Sequence, residues 1–142
     1  MNVAEIKRII ANQKEEQTQL MSQEGLITRE APDLRKYLER PNILAILGVR
    51  RCGKSVLANQ VLEGKHYAYV NFDDERLIDL RPEHLDMLME AIYEIYGGDV
   101  GYLLFDEIQN IPRWELFVNR LRRTKRLVIT GSNANLLGSE LA

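Results

Sequence analysis

An eight-residue segment, GVRRCGKS at residues 48–55, combines glycine, basic and hydroxyl residues at a fixed spacing. It fits the pattern G-x-x-x-x-G-K-[ST] at every fixed position. The glycines let the backbone wrap closely, so its N–H groups converge on a phosphate, and a following helix adds its positive dipole end. In this pattern Lys54 reaches the β- and γ-phosphates, and the Ser55 hydroxyl ligates Mg²⁺. The segment predicts a site for ATP with magnesium; a glycine-rich turn that binds nothing is the alternative.

The predicted nucleotide contacts cover most of this segment and the residue after it. They are Gly48, Arg50, Arg51, Cys52, Gly53, Lys54, Ser55 and Val56. Either arginine could contact the γ-phosphate or nearby carboxylates, although such loop positions often project into solvent.

A second segment, YLLFDE at residues 102–107, places two carboxylates directly after an apolar run. Asp106 is predicted to hold the magnesium through its water shell, because Mg²⁺ keeps several waters and takes few protein carboxylates. Glu107 is the candidate base that orients and polarises the attacking water. Surface carboxylates at a strand end are the alternative. The predicted metal ligands are therefore Ser55 and Asp106, and the predicted catalytic residues include Glu107 and Lys54.

Three further polar groups are predicted to lie near the nucleotide. Segment 130–133, TGSN, offers Ser132 or Asn133 to touch the γ-phosphate or the attacking water, with Thr130 behind them. The alternative for Ser132 or Asn133 is the N-cap of a following helix. The acidic run at residues 73–75 could position metal or water, or form a solvated turn or helix start. Gln109 could orient water or contact a neighbour.

The elements that must position these residues follow from apolar periodicity. Residues 3–22 predict an amphipathic helix that weakens around residues 13–19 and is broken by Gly25. A second short helix is predicted from Pro32, burying Leu34, Tyr37 and Leu38. We expect residues 1–40 to be a helical lead-in packed beside a core formed by residues 41–142.

From residue 42 the pattern alternates between strands and helices. Strands are predicted at 43–47, 67–72, 102–105 and 127–130, with helices at 54–63, from Pro82 to Tyr96, from Pro112, and from residue 133. The first strand is a continuous apolar run, typical of burial on both faces. This alternation predicts a parallel α/β sheet with right-handed crossovers, in which ligands bind beyond the carboxyl ends of the strands. All the polar segments described above fall at those ends.

Composition limits the other classes. The 142 residues suffice for one domain, and no run approaches the roughly 18 apolar residues that cross a bilayer. The single cysteine and the N-terminus without signal-peptide features predict a cytoplasmic setting and no membrane. A net charge of −2 does not indicate DNA as a partner. A basic cluster at residues 120–126 still leaves three interpretations: helix-end cations, nucleic-acid contact, or an arginine offered to a neighbour's ATP.

Four segments together resemble the prokaryotic AAA-type ATPases, and in particular the archaeal-ATPase branch related to the STAND class. They are GVRRCGKS at 48–55, NFDDERL at 71–77, FDEIQNIPRW at 105–114 and ITGSNANLL at 129–137. The resemblance runs from about residue 28 to the end. It implies an ATPase with Lys54 and Ser55 as phosphate and magnesium ligands, Asp106 and Glu107 as the metal and catalytic pair, and a sensor around Ser132 and Asn133.

The resemblance also implies a P-loop NTPase fold, a three-layer αβα arrangement with an extra strand between the first strand and the metal strand. The strand at 127–130 fits that place, which gives the order 1-4-3-2. The usual fifth strand has no residues left to form it, so we expect an exposed apolar edge at strand one. This predicts a truncated chain, or self-association through that edge. Related proteins continue with a lid or winged-helix region and often a nuclease-like domain, so we expect an effector domain or partner beyond residue 142.

The resulting hypothesis is an ATP-driven switch that hydrolyses ATP between the β- and γ-phosphates within a larger AAA-type ATPase. A P-loop small-molecule kinase is one alternative, although no acceptor pocket or arginine-rich lid is evident. A nucleotide-dependent DNA-binding module is another, and salt-dependent binding or substitution of Arg122 and Arg123 would identify it. A GTPase is disfavoured because the guanine-reading N-K-x-D segment is lacking.

Overall fold

The computed structural model describes residues 1–24, 36, 38, 43–48 and 53–132. The main elements are α1 Val3–Glu24, β1 Ile43–Leu47, α2 Lys54–Val61, β2 Tyr67–Asn71, α3 Leu85–Tyr96, β3 Tyr102–Asp106, α4 Trp114–Leu121 and β4 Arg126–Gly131. Short 3-10 helices occupy Glu75–Leu77, Pro82–His84 and Ile108–Asn110. The helices predicted to start at Pro32 and at residue 133 lie largely or wholly outside the described residues. In the described part of the chain, no helix has the length and apolar character needed to traverse a bilayer.

The four strands form one parallel sheet in the order β1-β4-β3-β2. This is the predicted order, and the mixed α/β architecture is that of a P-loop NTPase-like fold. Because β4 lies between β1 and β3, the carboxyl ends of these three strands are neighbours. At the outer strand, Asn71 of β2 is in register with Asp106 of β3. Because all four strands run parallel, their carboxyl ends lie at one edge of the sheet.

Helices cover both faces of the sheet and make it a three-layer structure. Helices α1, α3 and α4 pack on one face, whereas α2 and Leu38 pack on the other. Phe105 is fully buried between the sheet and the helices of the first face. Its ring meets Phe72 edge to face, with centroids 5.3 Å apart, and lies parallel to Phe117 at 6.0 Å. Side chains alternate between the faces along each strand, so Asp106 points to the α2 side, like Leu104.

Helix α1 is part of this core, and it does not weaken where the sequence predicted that it would. It runs unbroken through residues 13–19, because its glutamines are held by polar contacts. The Gln13 amide accepts from the Asn71 N–H at 2.9 Å and donates to the Asn71 carbonyl at 3.0 Å. Gln17 donates to Asn59 at 2.5 Å and to the Tyr67 hydroxyl at 2.8 Å. The Gln13 amide thereby takes the place of a neighbouring strand at the outer edge of β2.

Strand β1 is less buried than its continuous apolar run predicted, and it lies at the edge of the sheet, as the predicted strand order requires. All five of its residues are partly exposed, whereas β3 and β4 are buried from their second residue onward. The reason is position, because β4 is the one strand that pairs with β1 among the described residues. In that part of the chain β1 is therefore an apolar edge strand.

We predict that Ile10→Ala lowers the free energy of unfolding by about 2–5 kcal/mol, because the Ile10 side chain is fully buried between α1 and the core. Leu20→Ala is the matched control on the same helix, since Leu20 is 45% exposed and its loss should cost well under about 1 kcal/mol. Chemical denaturation followed by the fluorescence of buried Trp114 measures both values. Equal stabilities for the two variants would mean that α1 is a separable lead-in.

Candidate functional site

The site lies where the start of α2 meets the carboxyl ends of β3 and β4. Gly53 precedes α2 with φ 83° and ψ 12°, a left-handed conformation that residues with a Cβ adopt reluctantly. That turn places Lys54 and Ser55 in the first turn of α2, against Asp106 and Glu107. The positive end of the α2 dipole therefore faces two carboxylates, as it would face a phosphate.

Lys54, Glu107 and the half-buried Ser132 form one polar cluster. Lys54 Nζ lies 2.6 Å from Glu107 Oε1 and donates to Ser132 Oγ at 3.0 Å. Ser132 Oγ lies 2.6 and 2.7 Å from the two carboxylate oxygens of Glu107, which share its one hydroxyl hydrogen. Lys54 and Glu107 are each only 6% exposed. Because the pair is shielded from water, its attraction is much stronger than that of a surface ion pair.

The environment of Glu107 keeps its carboxylate ionised. Burial by itself raises the pKa of Glu107, but hydrogen bonds from Lys54, Ser132 and Gln109 outweigh it, so the pKa lies below its ordinary value. Gln109 Nε2 donates to Glu107 Oε2 at 2.7 Å. At neutral pH the side chain is therefore a carboxylate that can accept a proton.

The backbone of Glu107 is strained. Its φ of 56° and ψ of 49° are left-handed values, costing about 1–3 kcal/mol for a residue other than glycine. The N–H of Glu107 donates to Thr130 Oγ1 at 3.0 Å and helps to fix this conformation. Strain of this kind concentrates at functional sites, which makes Glu107 a functional candidate independently of its motif.

Asp106 sits beside this cluster and accepts three hydroxyl hydrogen bonds. Ser55 Oγ and Tyr69 OH each donate to Oδ2 at 2.8 Å, and Thr130 Oγ1 donates to Oδ1. Asp106 is 6% exposed. The Ser55 hydroxyl and the Asp106 carboxylate supply hard oxygen donors side by side, the type that Mg²⁺ prefers. This donor set fits a magnesium ion that keeps most of its waters.

The other predicted site residues are placed as follows. The N–H of Gly48 donates to the Gly131 carbonyl at 3.2 Å, joining the ends of β1 and β4. Val56 lies half-buried in the first turn of α2. Four predicted residues lie outside the described part of the chain: Arg50, Arg51, Cys52 and Asn133. For these four the predicted roles stay predictions.

In the acidic run that follows β2, the contacts of Asp74 stabilise the fold. The Asp74 side chain accepts from the Arg76 N–H at 3.0 Å and caps the 3-10 helix Glu75–Leu77. It also accepts from the Arg76 guanidinium at 2.7 Å and from Gln13 at 3.0 Å. Hydrogen bonds from Arg76 are the main reason that the pKa of Asp74 falls to about 2. Asp74 thus matches the helix-start alternative.

This pKa predicts an acid-dependent loss of stability. The Asp74 pKa is depressed from 3.8 to about 2 on folding, so its contribution is present above the higher value and is lost as the pH falls towards the lower one. We expect the free energy of unfolding of the wild type to fall relative to that of Asp74→Asn over this interval. Urea unfolding at a series of pH values measures it. Arg76→Met removes the main donor to Asp74, so the free energy of unfolding of this variant should depend less on pH over the same interval. Parallel pH curves for all three proteins would refute the lowered pKa of Asp74.

Sequence reasoning missed the contact between Tyr69 and Asp106. Its position gave a clue, since a tyrosine inside a buried strand needs a partner for its hydroxyl.

The basic cluster that the sequence showed at residues 120–126 lies away from the site. The cluster precedes β4 and ends at the first residue of that strand. Ser132 follows the opposite end of β4. Two of its members bind within the fold: Arg120 pairs with Asp86 at 2.7 Å, and Lys125 donates to the Val100 carbonyl at 2.8 Å.

Comparison with known proteins gives one family and two relatives. A family model described as an AAA domain matches residues 40–142. An uncharacterized protein of Methanocaldococcus jannaschii is 40% identical over 108 residues, which are 72% of this chain and 24% of the relative. An uncharacterized protein of Haemophilus influenzae is 34% identical over 132 residues, 83% of this chain and 32% of the relative. The chain thus spans about a quarter to a third of these curated relatives. No solved structure matches it significantly.

Proposed function

We propose that the chain, which belongs to the AAA domain family, binds Mg-ATP and hydrolyses it between the β- and γ-phosphates. One observation carries the proposal. Two close contacts, Lys54 to Glu107 at 2.6 Å and Ser55 to Asp106 at 2.8 Å, join the first turn of α2 to the end of β3. A cation, a hydroxyl and two carboxylates at a helix N-terminus are the groups that phosphoryl transfer to water requires.

The proposed roles follow from the chemistry of each group. The Lys54 ammonium, a compact charge with three donors, holds the β- and γ-phosphates. Ser55 and Asp106 would hold the magnesium, which would supply positive charge to neutralise the phosphate oxygens. The backbone N–H groups at the start of α2 add donors for the phosphates. Arg50, Arg51 and Cys52 belong to the same predicted loop.

Glu107 is proposed as the general base. Its carboxylate orients a water molecule and accepts a proton from it as the oxygen attacks the γ-phosphorus; the bond to the β–γ bridging oxygen breaks, and ADP leaves. While Lys54 and Ser132 remain bound to Glu107, its depressed pKa makes it a weak base. A Lys54 ammonium that turns to the phosphates would therefore also release a better base. Ser132, which contacts both Lys54 and Glu107, is proposed to respond to this exchange, and Asn133 is proposed to act with it.

The rest of the proposal concerns the whole protein. Because the chain spans only part of its relatives, we propose that it is the nucleotide switch of a larger ATPase whose effector domain or partner responds to hydrolysis. The partly exposed edge of β1 is the proposed surface for a further strand or a second copy. Small-molecule kinase activity and nucleotide-dependent DNA binding stay alternatives. No contact among the described residues favours either one.

Calorimetric titration tests the binding proposal, and phosphate release tests hydrolysis. We expect saturable heat with Mg-ATP, a weaker response to Mg-GTP, and release of inorganic phosphate without an added acceptor. A kinase would instead need an acceptor before ATP is consumed. Absence of heat and of phosphate release with Mg-ATP would refute the proposed function.

A further inference from the structure

Tyr69 is a buried residue that the roles given above do not use. It is the third residue of β2, is 8% exposed, and lies on the α2 face of the sheet with Leu104, its register partner on β3. From there its hydroxyl reaches forward to Asp106 Oδ2 at 2.8 Å. A phenol is protonated at neutral pH, so the Tyr69 hydroxyl acts as the donor in this bond.

Counting acceptor sites shows what this bond does to Asp106. A carboxylate has about four lone-pair sites, two on each oxygen. On Oδ2 both sites are taken, one by Ser55 and one by Tyr69. On Oδ1 one site is taken by Thr130. Among the contacts that the described residues make, one site, on Oδ1, stays open for a water of the metal shell. The carboxylate cannot turn about its own bond without breaking contacts on both oxygens.

We infer that Tyr69 is a positioning residue for magnesium binding, whose hydroxyl holds the Asp106 carboxylate in the orientation that presents Oδ1 to the metal's water shell. This inference rests on the proposed function, because it assumes that Asp106 faces magnesium. Partners that orient a metal-binding carboxylate in this way typically change metal affinity 10–100-fold when they are removed. Tyr69 acts through Asp106. Its strand, β2, carries no part of the two nucleotide-binding segments, residues 48–55 and 102–107.

The test separates magnesium from nucleotide. Tyr69→Phe removes one oxygen atom and leaves the ring in place, so the variant should fold, which a melting curve verifies. At a fixed ATP concentration, we expect the Mg²⁺ concentration at half-saturation of ATP binding to rise about 10-fold in this variant. Binding of ATP in EDTA should be unchanged. The readout is calorimetry or a fluorescent ATP analogue, with Mn²⁺ as a second metal.

Tyr67→Phe is the matched control, because it removes a hydroxyl from the same strand. The Tyr67 hydroxyl donates to Asn59 at 2.7 Å and accepts from Gln17, and it makes no described contact with Asp106. We expect the Mg²⁺ dependence of this control to match that of the wild type.

Three outcomes would count against the inference or its premise. An unchanged Mg²⁺ dependence in Tyr69→Phe overturns the role of Tyr69, and so does an equal loss of ATP affinity with and without metal, which would indicate a merely structural hydroxyl. A wild-type chain that binds no ATP at all overturns the proposed function instead, so the two failures are distinguishable.

Discussion

Lys54→Ala is expected to weaken ATP binding at least about 100-fold, equivalent to about 2.7 kcal/mol. The variant removes the one described cation at the start of α2 that reaches both Glu107 and Ser132, and charge-assisted bonds to phosphate are among the strongest in proteins. Calorimetric titration with Mg-ATP measures the loss. Lys7→Ala is the matched control, because Lys7 is half-exposed and its ion pair among the described residues is a 3.7 Å surface pair with Glu94.

A second variant separates lost binding from lost stability. Lys54→Ala leaves the charge of Glu107 buried without its cation, and breaking a buried pair in this way costs about 3–5 kcal/mol. The double variant Lys54→Ala with Glu107→Gln removes both charges and should recover part of that stability. We expect ATP binding to remain lost in the double variant. Recovery of near wild-type affinity there would mean that Lys54 acts on the fold and not on the phosphates.

Glu107→Gln is expected to lose about 10²–10⁴-fold in single-turnover phosphate release while keeping ATP binding, because the amide occupies the same space but cannot accept the proton from water. Its affinity for ATP should equal or exceed that of the wild type. The physical reason is the 2.6 Å ion pair with Lys54, which competes with phosphate for the ammonium and is absent from the variant.

The control for this experiment is Glu90→Gln, an exposed position on α3. Phosphate release by this variant should proceed at the wild-type rate. Wild-type turnover by Glu107→Gln would reject Glu107 as the base, and Gln109 and the residues after Ser132 would then need to be tested. Weakened ATP binding in Glu107→Gln would contradict the competition between Glu107 and phosphate for Lys54.

Much of the fold was predictable because each element depends on local patterns. Apolar runs of four or five residues ending at Gly48, Asp106 and Gly131 predicted buried strands, and the parallel arrangement fixed which strand ends meet. The order β1-β4-β3-β2 was predictable only with the resemblance to AAA-type ATPases, since apolar periodicity does not reveal which strands are neighbours. Residues 48–55 predicted the start of α2 as one part of the site, and residues 102–107 predicted the end of β3 as the other. Both were predictable because each segment is a short, contiguous pattern of residue types.

Several long-range contacts in the core and around the site were not predictable. Gln13 and Asn71 are 58 positions apart, and nothing in a polar helix position indicates which backbone group it will meet. The Tyr69 contact depends on strand register and on the side-chain rotamer, neither of which is local. The left-handed backbone of Glu107 is set by the turn into the 3-10 helix Ile108–Asn110, and a glutamate has no intrinsic preference for that conformation. Such contacts come from tertiary packing, which overrides local propensity.

The most direct measurement of the central claim is a crystal structure of the chain with Mn²⁺ and a non-hydrolysable ATP analogue. The anomalous signal of manganese locates the metal independently of the protein. We expect a manganese peak bound to Ser55 Oγ and linked through a water to Asp106, with Lys54 Nζ on the β- and γ-phosphates. A metal bound elsewhere, or a nucleotide whose phosphates lie away from the start of α2, would contradict it.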